Sequence, residues 1–244
     1  MSPHILDAEK VAATVHHLNR RINDRFPNSG LCGVCDQLER IADSTRERIR
    51  EIQEPIVWAK LAFWFLIVTV FVLSVVAPLI LGLGFTEDDL TWKSVLELGD
   101  PIFNEIIVIG ALFFFMFKLE TLIKRKRALK ALHELRAIAH VIDMHQLTKD
   151  PDRVLPGVVY LNTPGSPTTQ LSSFELRRYL DYCTEMLSLT GKLAAVYVQN
   201  FDDEVALAAV NEVEALTTGL AGKIWQKITI LHEAGQTNTP PGRS

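Results

Sequence analysis

The chain contains 244 residues, of which 48% are hydrophobic and 22% charged, and its formal net charge at pH 7 is −4. This length holds one or two modest domains beside a membrane segment, and the acidic balance argues against nucleic acid as a partner, since that role usually requires a basic domain. Three cysteines are too few for a disulfide framework. The first residues lack the basic and apolar regions of a cleavable signal peptide, so we expect the first membrane span to direct insertion.

Residues 1–55 are predicted to form a cytoplasmic helical hairpin. Apolar side chains spaced by three or four residues are typical of amphipathic helices. They mark a first helix with Val11, Val15, Leu18 and Ile22, and a second with Val34, Leu38, Ile41, Ile49 and Ile52. Between them, residues 25–30 contain the proline and glycine expected of a loop.

Residues 61–85 contain no charged side chain, and this run is the most informative feature of the chain. A helix needs about 20 apolar residues to cross the hydrocarbon core of a bilayer, and a helix packed inside a soluble protein is rarely so long and so uniformly apolar. We therefore predict a transmembrane helix over residues 56–85, with the lipid bilayer as its surroundings.

Residues 102–123 are predicted to form a second transmembrane helix. A helix of these 22 residues would be about 33 Å long. Its charged residues Glu105, Lys118 and Glu120 lie near the two ends, where long side chains reach the membrane interface. The alternative is a re-entrant or interfacial segment over residues 102–117.

The charges that flank the two spans predict their orientation. The connecting segment, residues 86–101, is acidic and carries a single basic residue, Lys93, whereas basic residues precede the first span and follow the second. The positive-inside rule then places both termini in the cytoplasm and the short acidic loop outside. The basic residues after the second span are predicted to anchor it and to attract anionic lipid headgroups: Lys124, Arg125, Lys126 and Arg127.

The second span is expected to continue into a cytoplasmic helical stalk over residues 124–149, because no helix breaker occurs before Pro151. A linker rich in Pro, Gly and Thr follows at residues 150–171.

Residues 172–235 are predicted to form a C-terminal antiparallel helical hairpin. Ser172 and Glu175 have the spacing of a capping box at its start, and two apolar heptad stripes follow, separated by a turn. Residues 236–244 are expected to be a disordered tail. The predicted fold is therefore all-α, with a two-helix transmembrane hairpin and cytoplasmic helical hairpins that form a bundle.

Cys32 and Cys35 form a C-x-x-C motif near the start of a helix, where the helix dipole lowers thiol pKa values. They are interpreted first as reduced thiols without a special role. A zinc site would need further ligands, for which His16 and His17 on the preceding helix are candidates. A redox pair would be more typical of a βαβ context, which the sequence lacks.

His133, His140 and Asp143 share a similar azimuth on the predicted stalk. Such a set can bind a divalent metal or respond to pH, and it can equally face solvent or stabilise a helix end. The sequence contains no recognisable Ser-His-Asp catalytic-triad order, phosphate-binding loop, dinucleotide-binding glycine motif or H-E-x-x-H zinc motif. We therefore expect no enzymatic activity and no cofactor.

Two stretches resemble segments of uncharacterised bacterial inner-membrane proteins with two spans. They are Arg25-Phe26-Pro27 with Gly30-Leu31, and Glu134 to His140 with Asp143 to Pro151. The resemblance implies the bacterial inner (plasma) membrane as the location and implies no activity.

The leading functional hypothesis is a non-enzymatic integral membrane protein that forms homo-oligomers or scaffolds a protein partner through its cytoplasmic helices. One alternative is a metal- or redox-responsive membrane sensor that uses the two thiols and the stalk histidines. Another is an oligomeric channel or transport accessory subunit, which Glu105 and Pro78 suggest.

Overall fold

The computed structural model of the chain describes residues 6–54, 57–72, 92–154, 171–199 and 201–237. In these ranges it contains six α-helices, one 3₁₀ helix and no strand. The α-helices are α1 (Ala8–Arg25), α2 (Gly30–Gln53), α3 (Val57–Phe71), α4 (Trp92–Leu147), α5 (Ser173–Val198) and α6 (Glu204–Thr237), and the 3₁₀ helix is Pro151–Arg153. The predicted all-α class is confirmed.

The chain divides into two compact units. The first, here called the bundle unit, combines Met1–Gln53 with Arg127–Ser244, and the second, here called the apolar unit, is Glu54–Lys126. Helix α4 contributes its first part to the apolar unit and its last part to the bundle unit.

Helices α1 and α2 form an antiparallel hairpin in the bundle unit. Helix α1 begins after Asp7, whose carboxylate accepts a hydrogen bond from the Glu9 amide at 2.9 Å and so caps the helix. Arg46 of α2 pairs with Glu9 near this end. Further along the hairpin, Asn19 Nδ2 donates to Asp36 Oδ1 at 2.9 Å, so polar contacts accompany the apolar seam between the two helices.

Helices α5 and α6 form a second antiparallel hairpin. Ser172 Oγ accepts from the Glu175 amide at 3.2 Å, and Glu175 Oε2 accepts from the Ser172 amide at 2.8 Å, which confirms the predicted capping box. Gly191 lies where α5 packs tightly against α6, because a Cβ at this position would lie only 3.1 Å from Thr217 Oγ1. A glycine here permits the close packing of α5 against α6.

An apolar core joins both hairpins to the last part of α4. The largest fully buried side chains belong to α1, α2, α4 and α5: Leu18, Ile22, Leu31, Leu38, Leu132, Leu135, Ile142, Leu180, Met186, Leu187, Leu193 and Tyr197. Helix α6 adds Val210, Val213 and Ile224. Burial of such side chains is worth about 1.5–3 kcal/mol each, so the core is the main source of stability of this unit.

A buried polar contact links α2 to α5 inside this core. The hydroxyl of Tyr197 donates to Thr45 Oγ1 at 3.2 Å, and both residues are buried. Burial raises the pKa of Tyr197, so its hydroxyl stays protonated and available as a donor. Beside it, Arg48 of α2 forms an ion pair with Glu134 of α4. These contacts fix the register of three helices.

Lys227 of α6 holds the C-terminal end of α4. Its Nζ donates to the carbonyl of Gln146 at 3.0 Å, to Gln146 Oε1 at 2.8 Å and to the carbonyl of Lys149 at 3.2 Å. The last carbonyls of a helix have no partner within the helix, and a cation is favourable at that end. Lys227 therefore supplies a cap from another helix.

The apolar unit contains α3 and the first part of α4. The rings of Phe63 and Phe113 lie 5.9 Å apart, and those of Phe113 and Phe117 lie 4.7 Å apart with edge-to-face geometry. Helix α4 is long and apolar enough to cross a membrane, and none of the residues in its most apolar window is buried. Within the described residues it is the one helix that meets this criterion; the apolar helix over Lys60–Phe71 is shorter.

Some predicted segments lie partly or wholly outside the described residues. The first predicted span, 56–85, is described only to Val72, so Pro78 falls outside. Helix α4 begins at Trp92, within the predicted loop 86–101, and continues past Pro101, because a proline removes a helical hydrogen bond without always ending the helix. Residues 155–170 of the predicted linker and 238–244 of the predicted tail also fall outside.

Candidate functional site

The thiols of Cys32 and Cys35 lie in the first turns of α2, and both side chains are buried. Burial raises the pKa of Cys35 to about 12, and the nearby carboxylates of Glu39 and Asp36 act in the same direction. The position near the helix start suggested a lowered thiol pKa, whereas desolvation dominates for Cys35. This thiol is therefore protonated at neutral pH, which disfavours both nucleophilic attack and metal binding.

The Cys32 thiol and the two candidate histidines already have partners other than a metal ion. Cys32 Sγ lies 3.1 Å from Asn23 Oδ1 and 3.1 Å from the carbonyl of Phe26, so its thiol donates within the hairpin. Of the two histidines considered as zinc ligands, His16 pairs with Glu39, and Nδ1 of His17 lies 2.9 Å from Arg20 Nη2. In the folded hairpin, the two imidazoles therefore contact Glu39 and Arg20 and are not paired with the thiols.

The stalk residues His133, His140 and Asp143 all lie on α4. Both histidines are exposed, and Asp143 Oδ1 accepts from Gln146 Nε2 at 2.8 Å. Seven residues of helix separate the histidines by about 10.5 Å, too far for one ion. Among the described residues, no group of three or more His, Cys, Asp or Glu side chains is placed to hold a metal ion.

The predicted anchor, Lys124 to Arg127, occupies about one turn of α4. Lys124 pairs with Glu120 one turn earlier at 2.9 Å. Arg127, the first α4 residue of the bundle unit, donates to the carbonyl of Glu51 near the end of α2 at 2.5 Å. Part of the positive charge is thus used in local contacts, while Lys126 and Arg127 remain exposed.

Helices α3 and α4 of the apolar unit expose many large apolar side chains. Phe65 is 75% exposed, and Phe114 and Phe115 are each 65% exposed. Others on the two helices are Leu61, Trp64, Val68, Phe71, Phe103, Ile106, Ile107, Val108, Phe117 and Leu122. A contiguous apolar surface on this scale marks a membrane or protein contact.

A cluster of cations stacked on aromatic rings occupies the part of the bundle unit where α1 ends and α5 begins. The guanidinium of Arg21 lies 5.2 Å from the ring centre of Tyr182, and that of Arg25 lies 5.5 Å from the ring of Phe174. On the same side, Lys149 Nζ lies 5.0 Å from the ring of Tyr179. The rings of Tyr179 and Tyr182 are buried and that of Phe174 is exposed, so these cation–π contacts line the boundary between core and solvent.

An open cavity of about 660 Å³ lies beside this cluster. Its lining includes Ser29 and Gly30 at the start of α2, His145 near the end of α4, and Lys149 and Tyr179. The His145 ring packs directly on Gly30, where a Cβ would lie 2.4 Å from its Cε1 atom. Sequence analysis missed this cluster, although the Tyr179 and Tyr182 spacing on one face of α5 gave a signal.

The side of α6 that points away from the core forms a second surface that sequence analysis missed. It is exposed and carries the polar residues Asn211, Thr218 and Gln226 among small or apolar ones. The small or apolar ones are defined here as the outer face of α6: Leu207, Ala208, Ala215, Gly219, Gly222 and Trp225. The apolar heptad stripe predicted only which side of this helix is buried. The small number of charged residues on the exposed side could have indicated a contact surface.

The chain matches no protein-family model, no curated protein and no solved structure.

Proposed function

We propose that the protein is a non-enzymatic integral protein of the bacterial inner membrane whose helical bundle unit self-associates or scaffolds a protein partner in the cytoplasm. The observation that carries the proposal is the exposed apolar surface of α3 and α4. A core helix of a soluble protein would have these side chains buried, whereas no residue in the most apolar window of α4 is buried within the chain.

Lipid is a more favourable solvent than water for the exposed side chains of the apolar unit. Each large apolar side chain left in water forgoes about 1.5–3 kcal/mol of transfer free energy, and more than a dozen such side chains are exposed on α3 and α4. Lipid removes this cost without requiring a protein partner for each side chain. The backbone of a helix is hydrogen-bonded within itself, so a helix is compatible with lipid.

The charge pattern supports the proposed two-span topology with cytoplasmic termini. Basic residues lie at the end of the apolar segment of α4, and Lys126 is exposed there. Lipid headgroups on the cytoplasmic side of the membrane are predominantly anionic and would attract these residues.

The bundle unit supports an interaction role rather than catalysis. Its buried thiol Cys35 is protonated at neutral pH, and its stalk histidines point to solvent without converging. What its surface does offer is the cation–aromatic cluster and the outer face of α6. The outer face of α6 is exposed, whereas the cluster exposes Arg21, Arg25 and the ring of Phe174, and such groups are of the kind that contact another protein.

Membrane insertion is tested by fractionation of cells that express the full chain. The wild-type protein is expected to remain in the membrane pellet after an alkaline carbonate wash and to be released only by detergent. Val108→Arg places a charge in the most apolar part of α4 and should reduce insertion, since arginine at a span centre costs about 2.5–3.5 kcal/mol. His133→Arg on the exposed stalk is the matched control and should remain inserted. Release of the wild-type protein by carbonate would overturn the proposal.

A further inference from the structure

The outer face of α6 leaves large apolar groups in solvent. Trp225 is 62% exposed and Leu207 is 47% exposed. Aromatic residues are enriched at protein interfaces and depleted from ordinary surfaces, so an exposed tryptophan on a regular helix points to a contact.

Two glycines on this face are not explained by packing against the described part of the chain. A Cβ added at Gly219 or Gly222 would meet no described residue within 4 Å, in contrast to Gly191, where Thr217 lies close. Glycine destabilises a helix interior relative to alanine. Small residues at these positions instead permit the backbone of another helix to approach closely, toward the short end of the ~8–10 Å range of helix packing.

The charges along one edge of this face are arranged for an antiparallel contact. Glu212 and Lys223 lie on the same edge, eleven residues and about 16.5 Å apart. In an antiparallel pair of identical helices, each edge faces the same edge of the partner. A two-fold axis halfway between these residues, next to Thr218, brings Glu212 of each copy beside Lys223 of the other.

Both side chains are available for such a contact. Lys223 is exposed and forms no ion pair with the residues that the structure describes. Glu212 is 66% exposed, and only its Oε2 atom is near Arg136, at 3.2 Å. A parallel pair would instead place the edge with Glu212 against the edge with Glu214, where like charges repel.

We propose that the outer face of α6 is the surface on which two copies of the chain associate, with the two α6 helices antiparallel about an axis next to Thr218. This inference rests on the self-association in the proposed function. It adds that the partner is a second copy of the chain and that the contact surface is the outer face of α6. The small residues Ala215, Gly219 and Gly222 lie at the crossing, and Trp225 lies at the level of Asn211 of the other copy, about one helical turn from its Leu207. The self-complementary charge pattern selects a second copy over an unrelated helix.

Charge reversal tests the interface with the full chain in mild detergent. Glu212→Lys and Lys223→Glu each place like charges opposite one another at two symmetric positions, and each should weaken dimer formation by roughly tenfold. Mixing the two variants should restore a heterodimer of wild-type strength, because every contact is again between opposite charges. Arg136→Ala removes only the pair within the chain and should leave association unchanged. Failure of the mixture to recover would overturn the charge pairing.

Cysteine cross-linking tests the geometry and separates this proposal from the broader one. Thr218→Cys lies beside the axis and should form a disulfide-linked dimer, while Thr229→Cys should not, because the two copies of residue 229 would be about 34 Å apart. The native cysteines are buried and should not interfere. Cross-linking of both variants would indicate a parallel pair and refute the antiparallel arrangement.

Two further outcomes distinguish failure of the α6 surface from failure of self-association. If neither cysteine variant cross-links but an amine-reactive reagent still captures wild-type dimers in membranes, self-association stands and the α6 surface is the wrong one. If wild-type protein is monomeric by every measure, self-association itself is refuted.

Discussion

Removal of the Lys227 ammonium is expected to destabilise the bundle unit strongly. In Lys227→Met, the side-chain stem keeps its packing, but Gln146 Oε1 and the Lys149 carbonyl lose the ammonium as a donor, while the Gln146 carbonyl keeps the Lys149 amide at 3.0 Å. Gln146 is only 2% exposed, so water does not readily replace the ammonium there. An unsatisfied buried acceptor costs about 1–3 kcal/mol.

The expected loss is smaller than the sum of three charged hydrogen bonds. Desolvation lowers the pKa of Lys227, which shows that burial of this ammonium already costs free energy in the folded state. The variant recovers that cost. We therefore expect the free energy of unfolding to fall by about 2–3 kcal/mol.

The measurement is urea unfolding of the full chain in mild detergent, followed by far-ultraviolet circular dichroism. Lys192→Met is the matched control, because Lys192 is exposed and its Nζ contacts only Ser188 Oγ among the described residues. It should change the free energy of unfolding by less than about 0.5 kcal/mol. Amide hydrogen exchange should also accelerate near the end of α4 in the Lys227 variant. Equal stability of the two variants would refute the capping role.

Three further predictions concern other contacts of the bundle unit. Tyr197→Phe removes the hydrogen bond to Thr45 Oγ1 and should lower the free energy of unfolding by about 1 kcal/mol in the same urea assay; no change would show that the bond is dispensable. The thiol of Cys35 has a pKa raised from 9.0 to about 12 by burial, so the unfolded state loses this proton at lower pH than the folded state. Stability should therefore fall by up to about 1.4 kcal/mol per pH unit across that window, and Cys35→Ala, compared with wild type in urea titrations at successive pH values, should fall less steeply. Gly30→Ala requires the His145 ring to move toward the open cavity beside it, so the loss of stability should be at most about 1 kcal/mol, and His145→Ala should remove that loss in a double-mutant cycle; additive effects would contradict the contact.

Local chemistry made several features of the fold predictable. The capping box of Ser172 and Glu175 depends on residues three positions apart, and the structure contains it. Likewise, α4 ends at Leu147, shortly before Pro151, as the position of this proline predicted. In both cases the decisive atoms are neighbours in sequence.

The candidate sites were harder to predict because they combine distant residues. The contact of Tyr197 with Thr45 spans 152 positions, and Arg21 with Glu185 spans 164. The spacing of His133 and His140 places them on one side of α4 but cannot say which side faces the core. The structure turns that side to solvent.

The sequence by itself determined that this chain is helical and that one of its helices is long and apolar enough to cross a membrane, since both properties follow from side-chain periodicity and transfer free energy along a single segment. Only the tertiary structure decided which polar groups meet and which surfaces stay exposed. The reason is that a helical pattern gives the relative azimuth of residues within one helix. The rotation of each helix about its own axis is set by how all the helices of the bundle pack together.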